Sequence, residues 1–125
     1  MSTLTEVKKI IDSLSLNDFP VFTNNYPPEF QQDDNHSSIL ITNISMNYAD
    51  YGSNHAEARE ELIQIQFFPK QNYEYSLENL ADKVNRELES HGFYCTSSSG
   101  QLLSSGSTNV FMTMKFTHNK NLGGI

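Results

Sequence analysis

Cysteine occurs once, at Cys95, and tryptophan not at all. One thiol cannot close an intrachain disulfide or build a cysteine-based zinc cage, and it fits a reducing compartment. There is no apolar run of about 18 residues and no basic-then-apolar start, so the sequence reads as having neither a transmembrane helix nor a secretion signal. Basic residues are scarce: eight Lys and Arg stand against fifteen Asp and Glu, for a net charge of -7. Non-specific binding to nucleic acid or to an anionic membrane draws its affinity from Lys and Arg, so this balance argues against both. It leaves room for a protein that surrounds DNA without gripping it. No internal repeat is visible. The 125 residues predict a single domain, 1–125, large enough for one core and too small for two.

The clearest patterning lies between Glu61 and His91. Ile63, Ile65 and Phe67 alternate with Gln64 and Gln66, the period of a strand with one apolar face, and Pro69 stops it. The period then changes. Leu77, Leu80, Ala81, Val84 and Leu88 fall at helical spacing, with Ser76 as N-cap and Gly92 as a left-handed stop after His91. Upstream, Thr3 and Glu6 read as a capping box. They open a helix with Leu4, Val7, Ile10, Ile11 and Leu14 on one face, ending near Leu16-Asn17-Asp18.

Pro20 to Thr23 is a short edge strand, and Tyr26 to Asn35 a polar loop. Ser38 to Tyr48 is a long strand whose apolar parity switches between Ile41 and Ile44, which predicts either a bulge or a strand buried on both faces. Tyr48 to Arg59 is polar and reads as the extended tip of a hairpin. Phe93 to Thr96 is a strand, and Ser97 to Asn109 a mobile Ser/Gly-rich connection that Leu102 and Leu103 can pin. Val110 to Phe116 is the last strand, and His118 to Ile125 a frayed tail. The element order α-β-β-β-α-β-β predicts an α+β fold, a mainly antiparallel sheet with two helices on one face.

Chemistry-bearing patterns are few. His36, His55, His91 and His118 are scattered with no i,i+4 pair, so no metal site is expected, and His91 should face the carbonyls at its helix end. Cys95 reads as a core thiol, and Met46, Met112 and Met114 as core fillers. Ser97-Ser98-Ser99-Gly100 lacks the ending of a phosphate cradle, and Asp33-Asp34-Asn35 the oxygen spacing of a calcium loop. Glu57, Glu60 and Glu61 form a solvated hairpin shoulder rather than a carboxylate pair. Less bland are the tyrosines in polar surroundings, Tyr26, Tyr48, Tyr51, Tyr73 and Tyr75, a residue type common where proteins meet. A sheet covered on one face, with open edges, also invites strand addition or ring assembly.

The N-terminal amphipathic helix, the hairpin strand E-L-I-Q-I-Q-F-F-P, the helix L-x-x-L-A-x-x-V-x-x-x-L leading to H-G-F and the closing strand F-M-T-M-K-F-T-H form one series. Over roughly residues 3 to 118 this series resembles the small tail-completion and tail-terminator proteins of siphophages that infect Gram-positive bacteria. The resemblance implies a homohexameric ring that caps the tail tube, ends its polymerisation and meets the head connector. Its partners would be the major tail protein and the head–tail connector proteins, with passive contact to DNA in the bore and no membrane. The location would be the virion tail, with assembly in the host cytoplasm. It implies no enzyme, no cofactor and no metal. Interface contacts are expected at Tyr48, Asp50, Tyr51, His55, Glu57, Arg59 and Glu60 on the central hairpin. Two other classes stay open: a monomeric acidic binding or inhibitor module, and a small hydrolase using His and Glu.

Overall fold

The computed structural model describes residues 3–14, 19–23, 37–52, 55–69, 77–103 and 110–121. In chain order the elements are helix α1 (Thr3–Asp12), strands β1 (Val21–Thr23), β2 (Ser38–Gly52) and β3 (His55–Phe68), helix α2 (Leu77–Glu89), and strands β4 (Tyr94–Leu103) and β5 (Val110–Asn121). The strands form one sheet in the order β1-β2-β3-β5-β4. Only the β1–β2 pair is parallel; the other three pairs are antiparallel. The fold is α+β, as the element order predicts.

Register explains which residues are buried. Across β2, β3 and β5, Ile39 pairs with Phe67 and Phe67 with Met112; Ile41 pairs with Ile65 and Ile65 with Met114; Ile63 pairs with Phe116. Directly paired residues share a face of the sheet. This face packs into a single core with Val7 and Ile11 of α1 and Leu77, Leu80, Ala81, Val84 and Leu88 of α2. Leu4 and Ile10 pack against it from α1, and Leu14 from the turn after it. The opposite face carries Leu40, Thr42, Leu62, Gln64, Gln66, Thr113 and Lys115, all partly exposed.

Local signals act where the sequence places them. β3 ends at Phe68, before Pro69. The register shift in β2 between Asn43 and Ser45 is the bulge marked by the parity switch from Ile41 to Ile44. Gly92 adopts φ +86°, and the N–H groups of Gly92 and Phe93 donate to the carbonyls of Glu89 (3.1 Å) and Leu88 (2.9 Å). These two hydrogen bonds close α2 and turn the chain into β4. His91 Nδ1 lies 3.0 Å from the Glu87 carbonyl, which can only accept, so His91 faces its helix end.

Several expectations are corrected. The hairpin is present as expected, but its tip is not extended: Tyr48 to Gly52 and His55 to Arg59 are paired strand, because each half satisfies the other's backbone groups. Ser97 to Leu103 belongs to β4, held against β5 through two register irregularities, and not to a mobile connection. His118 to Asn121 continues β5 because β3 runs far enough to pair with it. Helix α1 closes at Asp12, and Thr3 Oγ1 is buried with no hydrogen-bond partner among the described residues, so the capping box is not made. Cys95 is exposed, since it follows the buried Phe93 onto an edge strand beyond the helices' cover. Met46 is 47% exposed for a related reason, whereas Met112 and Met114 are core residues. The proposed cap Ser76, the Tyr26–Asn35 stretch, His36, Tyr73, Tyr75 and residues 104–109 and 122–125 lie outside the described residues.

Candidate functional site

The β2–β3 hairpin outruns the helices. Its inner half is core; its outer half, from the bulge onward, carries the same face past the helix-covered region. Large apolar side chains stand exposed there: Ile44 (44%), Met46 (47%) and Tyr48 (51%). They share one parity after the bulge, and Met46 and Tyr48 pair with Glu61 and Arg59 of β3. Arg59 and Glu61 in turn keep the parity of Ile63, Ile65 and Phe67, so all of these side chains lie on the core-bearing face.

Glu61 is 2% exposed, and its expected place on a solvated shoulder is therefore wrong. Its Oε1 lies 2.8 Å from Arg59 Nε, an ion pair whose N–H does not point along the contact, since Arg59 Nε makes no aligned hydrogen bond. Glu61 Oε2 has no partner among the described residues. On the other flank Glu61 pairs with His118 of β5. His118 Nδ1 donates to the Gly92 carbonyl at 3.1 Å, and its ring stacks on Phe93 with centroids 4.0 Å apart. Glu61 thus sits at the seam between packed core and bare hairpin. The signal for it was its alternation with Ile63, outweighed by its charge.

Of the residues expected at an interface, Tyr48 and Arg59 are a cross-strand pair. Glu60 is exposed on the other face, paired with Asn47 and Asn119. Tyr51 pairs with Ala56 and His55 with Gly52, while Asp50 and Glu57 lie within the same ladder. The side chains of Asp50, Tyr51, His55 and Glu57 lie outside the described residues. The hairpin therefore brings all seven positions to one end of the sheet.

Elsewhere the chemistry is thin. Among the described residues no group of three or more His, Cys, Asp or Glu is placed to hold a metal ion. Although Cys95 is exposed, partial desolvation raises its thiol above the ordinary pKa; hydrogen bonding with the Ser97 backbone opposes the rise and the Glu89 carboxylate adds to it. That is the opposite of an activated nucleophile. A cleft of about 390 Å³ beside α2 is lined by Leu14, Asn79, Asp82, Lys83, Arg86 and Glu87, whose charges are of both signs. No helix among the described residues is long and apolar enough to cross a membrane.

Geometry thus defines an α+β domain with a helix-packed core and a hairpin that carries exposed apolar side chains. The chain belongs to the family described as "Protein of unknown function (DUF806)", whose model matches residues 2–123. No curated protein matches it.

Proposed function

We propose that this protein is a structural component of a phage or prophage tail: a ring-forming cap that ends tail-tube polymerisation and joins the tube to the head connector. The observation that carries the reading is the hairpin running beyond the helices, with Ile44, Met46 and Tyr48 exposed along it. Monomeric proteins seldom leave adjacent large apolar side chains bare without a partner to cover them. A sheet with open edges and helices on one face can join its neighbours through hairpins and edges while the helices face outward. The acidic balance of the chain suits a ring through which DNA passes without sticking. In this role the partners are further copies of the chain, the major tail protein and the connector. No chemical step is required of any residue.

The test is tube growth in vitro. Purified major tail protein is polymerised with and without this chain, and tube lengths and ends are scored by electron microscopy. The reading expects sub-stoichiometric amounts to shorten the tubes and leave a ring at one end. Unchanged tube lengths with no ring attached would reject it.

A further inference from the structure

One edge of β2 is paired over only a short part of its length among the described residues. β2 is 15 residues long, but β1 pairs with it only at Ile39, Leu40 and Ile41. Among the described residues no strand lies against the rest of that edge, Thr42 to Gly52. Exposed edges are ordinarily guarded by Lys, Glu or Pro. In a chain of net charge -7, this edge, TNISMNYADYG, holds one charge, at Asp50, and no proline.

Backbone direction can be followed along it. The Ile39 N–H donates to the Pro20 carbonyl at 2.9 Å, so Ile39 turns its backbone groups toward β1. Strand residues alternate, and the bulge adds one residue. Beyond the bulge, Met46, Tyr48 and Asp50 are therefore the residues whose N–H and C=O groups point off the sheet.

We propose that this edge pairs antiparallel with the same edge of a second copy, about a two-fold axis at Asn47. In that register Met46 lies opposite Tyr48 of the partner subunit, and Tyr48 opposite Met46 of the partner subunit. Each is a hydrogen-bonded pair that joins an exposed thioether to an exposed aromatic ring. Asn47 lies opposite its own copy on the other face. The bulge stays outside the regular pairing. The two Asp50 residues are six positions apart along the ladder, about 20 Å at the rise of a strand, so the one charge on the edge does not meet itself. The occupant is a second copy because the edge carries a single charge, which this register keeps from its own copy, and because its exposed Met46 and Tyr48 meet each other across the axis. The alternatives within the molecule are β1, of only three residues, and β4, broken by two register irregularities.

The contact is two-fold and uses the hairpin side chains on which the ring reading rests, so copy number tells the two apart. Asn47 would form a non-hydrogen-bonded antiparallel pair with a Cα separation of about 4.5 Å, inside disulfide range. The experiment uses the full chain in a Cys95→Ser background, with Asn47→Cys compared against Asn43→Cys under mild oxidation. Asn47→Cys should give a disulfide-linked dimer about tenfold faster than Asn43→Cys. Adding Met46→Lys and Tyr48→Lys should abolish the cross-link while circular dichroism and the melting temperature hold. Equal cross-linking at positions 43 and 47, or none at 47, overturns the proposal. Six copies with no cross-link at 47 would reject this contact and leave the ring standing. A cross-linked dimer with no larger assembly would support the contact and reject the ring.

Discussion

At Glu61 a carboxylate sits 2% exposed on a face otherwise built of Ile63, Ile65 and Phe67, held by Arg59 at 2.8 Å. A buried pair gains little over apolar replacements of similar size, whereas removing one partner strands the other charge. We expect Arg59→Ala to cost about 2–3 kcal/mol, and Arg59→Leu with Glu61→Leu to recover most of that loss. A double-mutant cycle by urea titration measures it; additive losses would show that the pair is not coupled. Gly92 is a second sensitive position. A Cβ there would meet His118 only at ordinary contact distance, 3.8 Å from Nδ1, so space is not the obstacle. The obstacle is φ +86°, and Gly92→Ala should lower the unfolding midpoint by about 1 kcal/mol. An unchanged midpoint would mean that the turn is free to rearrange.

Among the elements, α2 and the inner half of the hairpin were the most legible in the sequence because one periodicity decides them. The apolar residues of α2 are all buried, and the parity switch from Ile41 to Ile44 marked a real bulge. β4 was legible only at its start. Ser97 to Gly100 has little intrinsic strand preference, and its conformation comes from pairing with β5, a tertiary effect invisible to local pattern. The outer hairpin was misread for the same reason, since polar residues can pair well once the opposite strand is present. Alternation also could not tell that Met46 lies past the reach of the helices. A contrast in stability follows. Val84→Ala and Leu88→Ala, both at 0% exposure, should each destabilise by about 2–4 kcal/mol, the larger loss at Leu88. Met46→Ala should change the isolated chain by less than about 0.5 kcal/mol. Urea midpoints that fail to separate the two classes would place the core wrongly.

For the molecule as a whole, the seven positions expected at an interface were legible as one cluster on the hairpin, but the buried Glu61 and the β2 edge left unpaired among the described residues were not. Both depend on where α1, α2 and β1 stop covering the sheet. Charge at this scale gives a further prediction. If the hairpin end lines a bore, carboxylates there keep DNA from adhering over about a Debye length, roughly 8 Å at physiological salt. Replacing Asp50, Glu57 and Glu60 with Lys should leave folding and assembly nearly intact and slow DNA ejection from particles that contain the variant. Equal ejection kinetics would remove the non-stick role. The central claim is that copies of this chain close into a ring, and light scattering combined with electron microscopy of the purified protein tests it most directly. The account predicts a six-fold ring, single or doubled through the β2 edge; one copy per particle at every concentration would contradict it.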